Sequence, residues 1–315
     1  MTKEARPVLP TDLLALVTYQ GRSYRNEAWP RERVGAAESQ RPLGLVLDKF
    51  LAFSRGRSAW ISVRRQRLRG LVGARRRGSR QAWEVDYLID ATPAQDAVVG
   101  LLECAIAEVG RAGAEKLFLR LAADSELLPV VLDAGFIAYQ EETLYARAAR
   151  PEAEPALTAL RPVQPADSYL LFRLYNATTP ESTRRAEAAT FGEWHAAQER
   201  RWLKNGAQLL REEGGEVRAW ARAARLPPGV AVDLLVDEQA LPETASLVAA
   251  AVCAVAGQGA PVFALVPRTA TGIASRLEEA GFEARGEFVC FVRRTTRPQS
   301  LPKLTPAIAR NAVGA

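Results

Sequence analysis

Three short motifs occur twice in this chain, in the same order and at nearly the same separation. Arg6-Pro-Val-Leu-Pro-Thr-Asp12 returns as Arg161-Pro-Val-Gln-Pro-Ala-Asp167. Val85-Asp-Tyr-Leu-Ile-Asp90 returns as Val232-Asp-Leu-Leu-Val-Asp237, and Ala134-Gly-Phe136 as Ala280-Gly-Phe282. The offsets are 155, 147 and 146 residues (6 to 161, 85 to 232, 134 to 280). Solenoid and propeller repeats have periods of roughly 20–50 residues, so a period this long reads as one domain written twice. The 315 residues suffice. A half of ~150 residues buries roughly 68–70% of its unfolded surface and can hold its own core.

Both halves carry one coarse pattern. A helix is expected after each Arg-Pro opening (Asp12 to Gln20; Asp167 to Asn176), with Asp as its N-cap. A more variable helical region follows, including Leu43 to Ser54 and Phe191 to Lys204. Three strands come next, separated by polar or Gly/Pro turns, which predicts an antiparallel meander. They are Trp60–Val63, Leu68–Arg75 and Ala82–Ile89 in one half, Gln208–Arg211, Glu216–Ala223 and Val230–Val236 in the other. The period then switches to that of long apolar helices, Ala94–Val109 and Leu241–Ala256, each followed by a strand (Lys116–Leu121; Pro261–Val266). A last helix ends at Ala-Gly-Phe, where Gly suits a positive φ, and final strands (Ala138–Ala146; Glu287–Arg293) close each half. The expected domains are 1–147 and 161–294, with an Ala/Pro/Glu-rich linker at 148–160 and an irregular Pro-containing tail at 295–315.

Composition narrows the chemistry. His195 is the single histidine, and Cys104, Cys253 and Cys290 are far apart, which argues against a zinc site, a Ser-His-Asp triad and a disulfide framework. Cys104 and Cys253 lie in apolar helical runs and read as small buried hydrophobes, and His195 as a helix-surface or core-edge residue. No apolar run nears the roughly 18–20 residues of a membrane span. MTKEARPVLP has Glu and two prolines where a secretory signal needs an apolar core, so a cytoplasmic protein is expected.

The net charge is +6, and only five of the 42 basic residues are lysines. Arginines cluster from Arg55 to Arg80, a stripe that could attract a polyanion. Trp60 and Trp83, the aromatics available there for base stacking, read as core residues. Arg64–Arg69 and Arg75–Arg80 are expected to be mostly exposed, with no required nucleic-acid partner, so that neutralising Arg75, Arg76 and Arg77 changes stability little.

The ordered, duplicated Arg-Pro and Gly-Phe signals on this element order resemble the GNAT (Gcn5-related N-acetyltransferase) superfamily over roughly Arg6–Arg147 and Arg161–Arg294. The resemblance implies an α/β (α+β) fold of two tandem GNAT-like domains, each a mixed, mainly antiparallel sheet flanked by helices. It also implies acetyl-CoA or another acyl-CoA as co-substrate, an amine as acceptor and no metal. The family holds the pyrophosphate with Gln/Arg-x-x-Gly-x-Gly/Ala at a helix N-terminus, where glycines let backbone N–H groups approach the phosphates. Counting back from Leu101-Leu102 puts Pro93, Asp96 and Val98 at those positions; counting from Leu247-Val248 puts Gln239, Pro242 and Thr244 there. Only Gln239 matches, Pro242 has no N–H to donate, and Asp96 would repel a phosphate. The position of the family's proton-donating tyrosine is Val131 in one half and Leu277 in the other.

The implied site residues are therefore Asp86 and Asp233 as general base on the third strand, with Val236, Gln239 and Thr244 beside the cofactor in the second half. Three functions stand open on this reading. One is an acyl-CoA-dependent N-acetyltransferase with at least one inactive half. The second is a non-catalytic tandem module that binds a ligand or protein. The third is RNA binding through the Arg55–Arg80 region.

Overall fold

A computed structural model describes residues 5–9, 11–12, 24–33, 39–40, 56–65, 67–78, 81–91, 96–149, 160–197, 206–226, 228–256 and 259–295. The first half contributes β1 (Ala5–Pro7), β2 (Tyr24–Arg25), β3 (Ser39–Gln40), β4 (Arg57–Arg64), β5 (Arg67–Arg76), β6 (Ala82–Asp90), α1 (Asp96–Arg111), β7 (Lys116–Ala122), α2 (Leu128–Asp133) and β8 (Ile137–Arg147). The second contributes β9 (Leu160–Pro162), α3 (Ser168–Thr178), α4 (Glu181–Glu187), α5 (Phe191–Ala197), β10 (Gly206–Glu213), β11 (Glu216–Leu226), β12 (Gly229–Val236), α6 (Thr244–Cys253), β13 (Val262–Pro267), α7 (Thr271–Glu279) and β14 (Glu283–Arg294). The helix expected after Asp12, the Leu43–Ser54 helix, the end of the helix toward Lys204, most of the linker and the tail beyond Thr295 lie outside the described residues.

The repeated motifs acquire physical meaning. Arg161 donates two hydrogen bonds to Asp167 (2.7 and 2.8 Å), and Arg6 does the same to Asp12 (2.7 and 2.6 Å). Each aspartate also accepts a backbone N–H at 2.7 Å, from Leu9 or Gln164, which locks the Arg-Pro turn. Asp167 directly precedes α3 as expected, but its carboxylate turns back to Arg161 and does not cap that helix. Gly135 and Gly281 have φ of +76° and +81°. Phe136 N–H reaches Val131 O and Gly135 N–H reaches Leu132 O, with the same pair of bonds at Phe282 and Gly281, so both motifs are glycine-terminated helix ends.

A single twelve-stranded sheet runs through both halves in the order β1-β4-β5-β6-β7-β14-β8-β13-β12-β11-β10-β9. Reading from either end gives the same succession of equivalent strands, so the halves are related by a pseudo-twofold at the centre. The final strands are exchanged. β14 lies between β7 and β8, and β8 lies between β14 and β13, all antiparallel. Sequence order alone predicted that each final strand closes its own half; instead each one covers the open edge left by the other half's parallel strand. The exchange places Phe291 in the first half's core, with Leu101, Leu117 and Val131, and Tyr145 in the second half's, with Val232, Leu247 and Leu277.

α1 buries Val98, Leu101, Leu102, Ala105 and Val109 at helical spacing, and Gly70 on β5 makes room: a Cβ there would lie 2.8 Å from Leu101 Cδ1. Val131 and Leu277 are fully buried. Trp60 and Trp83 are core residues, and His195 is exposed, as expected. Cys104 packs against the core half-buried, whereas Cys253 is exposed: at the last turn of α6 its side of the helix no longer meets the sheet. None of the helices among the described residues is long and apolar enough to cross a membrane.

Candidate functional site

Each half contains one parallel strand pair, and each pair is short. β6 and β7 are in register only at Ala82–Glu84 with Lys116–Phe118, and β12 and β13 only at Val230–Val232 with Val262–Ala264. Beyond that the strands diverge and open a wedge at their C-terminal ends, where an open α/β sheet receives ligands.

In the first half the wedge is filled by the chain itself. Asn26 and Ala28 are buried. Asn26 Nδ2 donates to Asp86 O (3.1 Å), Leu88 N–H donates to Asn26 Oδ1 (2.8 Å), and Glu27 N–H donates to Leu88 O (2.8 Å). On the other wall Trp29 N–H donates to Arg120 O, and Arg120 Nη1 donates to Trp29 O, both at 2.9 Å. Residues 26–29 thus lie as an extended amide chain between the splayed strands and satisfy the backbone groups of both.

In the second half the wedge is open. Val230 N–H donates to Pro261 O and Asp237 N–H to Arg218 O, so by strand alternation the backbone groups of Leu234 and Val236 face the gap. A cavity of about 440 Å³ occupies it, walled by β12, by Thr178 to Pro180 at the end of α3, and by Thr269 to Ile273 at the start of α7. A second cavity of about 160 Å³ abuts it, sharing Gln140, Thr179, Leu234, Leu235 and Pro267, and reaches the junction of the halves, where Arg31, Arg77, Tyr175, Glu187 and Asp233 line it.

The two aspartates expected as general bases differ sharply. Asp86 is an extra residue on β6: Gly73 pairs with Tyr87 and Ala74 with Val85, so it forms a bulge opposite β5. The β12–β11 register has no such bulge, and Asp233 sits squarely opposite Arg222. Asp86 is buried 2.9 Å from Arg57; burial pushes its carboxyl up to about 6, opposed by Arg57 and Arg75. Asp233 is also buried, which would raise it, but Arg31 at 3.0 Å and a short hydrogen bond from Arg222 hold it below the usual carboxylate range. A carboxylate so stabilised as an anion is a weak proton acceptor. Asp86 lies in the filled wedge.

The residues expected beside the cofactor separate in the same way. Val236 lines the large cavity. Gln239 is exposed on the 3₁₀ turn Glu238–Glu243, outside the cavity lining, with its N–H donating to Asp237 Oδ1 at 3.0 Å. Thr244 is completely buried and its hydroxyl donates to Leu241 O at 2.8 Å, so it has nothing to offer a phosphate. Asp237 and Glu238 stand at the cavity instead. In the first half Asp96 is paired with Arg69, while Pro93 lies outside the described residues.

The arginine stripe is partly neutralised, with Arg55 and Arg80 outside the described residues. Arg75 is buried against Glu84 at 2.8 Å, contrary to its expected exposure, because it points from β5 beneath the sheet where Glu84 on β6 meets it. Arg57 pairs with Asp86 and Arg77 with Glu187 (3.4 Å); Arg64, Arg65, Arg67 and Arg76 are exposed. Sequence reasoning missed Arg31, Tyr175 and Glu187 altogether. Tyr175 was accessible to it, as the one polar-tipped aromatic on the buried Leu171-Leu174-Tyr175 stripe of α3.

No protein-family model matches the sequence, and no curated protein matches it either. Solved structures do. A GCN5-related N-acetyltransferase from Sphaerobacter thermophilus superposes with a TM-score of 0.54 at 14% identity, over 92% of this chain and 95% of that one. A tandem GNAT protein from the clavulanic acid biosynthesis pathway, solved without acetyl-CoA, superposes with a TM-score of 0.52 at 13% identity, over 92% and 98%. The chain has the GNAT fold, in tandem. Within that GNAT frame the first wedge is self-filled and the second is open.

Proposed function

We propose that this protein is an acyl-CoA-dependent N-acyltransferase that works from the second-half wedge alone. The observation that carries the proposal is the contrast between the wedges. Residues 26–29 demonstrate what such a wedge accepts, an extended chain of amides hydrogen-bonded to both diverging strands. The pantetheine arm of CoA is an extended chain with two amides. In the second half Leu234 and Val236 present the equivalent groups to the large cavity. The thioester carbonyl would lie near the midpoint of β12, where a strand N–H can stabilise the oxyanion, and the amine would approach from the smaller cavity.

One observation favours a non-catalytic ligand-binding module. The phosphate cradle is absent: Pro242 has no N–H, Thr244 is spent, and Asp237 and Glu238 oppose a diphosphate. Acyl donors with short or no phosphates would suit this mouth better than CoA. A thermal-shift series with acetyl-CoA, longer acyl-CoAs, free CoA and acetyl-pantetheine, followed by thiol release with an amine present, separates the readings. A ligand at ~100 times its Kd stabilises by about 2.7 kcal/mol. Stabilisation with amine-dependent thiol release supports the transferase; stabilisation without release supports the binding module; stabilisation by none of the four removes both.

A further inference from the structure

We infer that the smaller cavity is the acceptor subsite and that it takes a zwitterion of the amino-acid class, with a carboxylate, a primary amine and a compact apolar side chain. This rests on the transferase reading of the adjoining wedge, because it names the acceptor for that same site.

The cavity lies where the two halves meet, and its polar groups are incompletely satisfied in a complementary way. Tyr175 is 6% exposed, and its hydroxyl has no hydrogen-bond partner among the described residues. Arg31 uses Nη1 on Asp233 and Nη2 on Glu142, while its buried Nε–H has no acceptor among the described residues. Buried donors with no acceptor among the described residues are costly in a folded protein, and a carboxylate is the group that would serve them. The Tyr175 hydroxyl lies in the field of Glu187 and of three arginines, Arg77, Arg184 and Arg31.

Glu187 supplies the opposite pole. Its Oε1 accepts from Tyr139 (3.0 Å) and from Arg77 (3.4 Å), whereas Oε2 accepts from nothing among the described residues. An ammonium group fits that vacancy. Apolar surface comes from Trp194, Trp220 and Leu265, with Phe118 beneath the Arg77 guanidinium at 4.7 Å, and the polar Gln140, Thr179 and Thr183 share the wall. A ligand lacking the carboxylate leaves the Tyr175 and Arg31 donors orphaned, and this asymmetry makes for strong discrimination.

The step balances without a further reactant. The bound ammonium loses one proton to Glu187, and the neutral nitrogen attacks the thioester carbonyl. The C–N bond forms and the C–S bond breaks. The nitrogen sheds its second proton, the leaving thiolate takes up one, and one proton is released to solvent, yielding the N-acyl amino acid and the free thiol.

The test pairs amino acids with their decarboxylated forms: L-leucine against 3-methylbutylamine, and L-phenylalanine against 2-phenylethylamine. Acetyl-CoA binding is measured separately by calorimetry. The inference predicts that the amino acids are acetylated with kcat/KM at least tenfold above the amines. It also predicts that Tyr175→Phe, which removes only a hydroxyl with no hydrogen-bond partner among the described residues, narrows that ratio several-fold. Glu187→Gln should raise the amino-acid KM at least tenfold, lower kcat because the amide cannot take the proton, and leave the acetyl-CoA Kd unchanged. Equal use of both members of each pair overturns the inference while the transferase reading stands. If acetyl-CoA does not bind, the transferase reading falls, and the subsite is then judged on binding alone. Stabilisation of the protein by L-leucine but not by 3-methylbutylamine sustains it, and indifference to both overturns it.

Discussion

Arg31 of the first half places its Nη1 3.0 Å from Asp233 on β12 of the second. The contact belongs to a buried chain in which Arg31 also meets Glu142 (3.3 Å), and Glu142 meets Arg120 at 2.8 Å. Each partner comes from a different strand or turn, so the chain fastens the centre of the sheet where the final strands are exchanged. Asp233→Asn removes the anion that Arg31 and Arg222 share in a buried site and should cost about 3–5 kcal/mol, read from urea unfolding. A loss under about 1 kcal/mol would show that the pair is screened by water and holds nothing.

Asp86 has the opposite character, and its sign can be worked out. Burial raises its folded pKa to about 6, above the usual aspartate value, so the folded state binds the proton more tightly. Stability is therefore highest below the unfolded value and declines as pH rises from about 4 to about 6, by at most about 1.4 kcal/mol per unit. Asp233 and Glu142 are depressed, and their contribution disappears only as pH falls below the usual carboxylate range. Asp86→Asn should remove the decline, so the difference between variant and wild type grows across pH 4–6 and is flat above it. A constant difference at every pH would contradict the burial argument.

Arg75 and Glu84 form a buried pair, and the two substitutions behave differently alone and together. Arg75→Met leaves Glu84 buried without its nearest cation and should cost about 3–5 kcal/mol; adding Glu84→Leu should recover most of that. Denaturant midpoints of the single and double variants decide it. Additive losses would mean that the two residues do not act as a pair.

Much of the fold was legible. The meander, the helix switch and the Gly-Phe turn each rest on local periodicity, and Val85–Asp90 and Val232–Asp237 do fall on equivalent strands, β6 and β12. The exchange of β8 and β14 was not legible, because either strand satisfies either edge and local sequence does not choose between them. The burial of Arg75 was hidden inside a run of arginines that mostly face water. The plug was hidden too: residues 26–29 have no helical or strand period, and their partners, Leu88 and Arg120, are more than sixty residues away. At the site, Val236 was found through its strand, whereas Thr244 looked available only because its bond to Leu241 O cannot be read from spacing.

The plug yields its own prediction. Asn26 makes three side-chain hydrogen bonds, to Asp86 O, Leu88 N–H and Ala28 N–H. Asn26→Ala should cost about 2–4 kcal/mol, since buried backbone groups lose their partners. It should not create a second acyl-CoA site, because Glu27 and Trp29 still occupy the strands. A gain of binding stoichiometry in this variant would show that the first wedge is a working site held shut.

Titration calorimetry with acetyl-CoA tests the central claim most directly, because it counts open wedges. The account predicts one equivalent per chain in the wild type and none in Thr269→Trp, an exposed position on the wall of the second-half cavity whose substitution leaves the core untouched. Two equivalents, or one equivalent that survives Thr269→Trp, would contradict it.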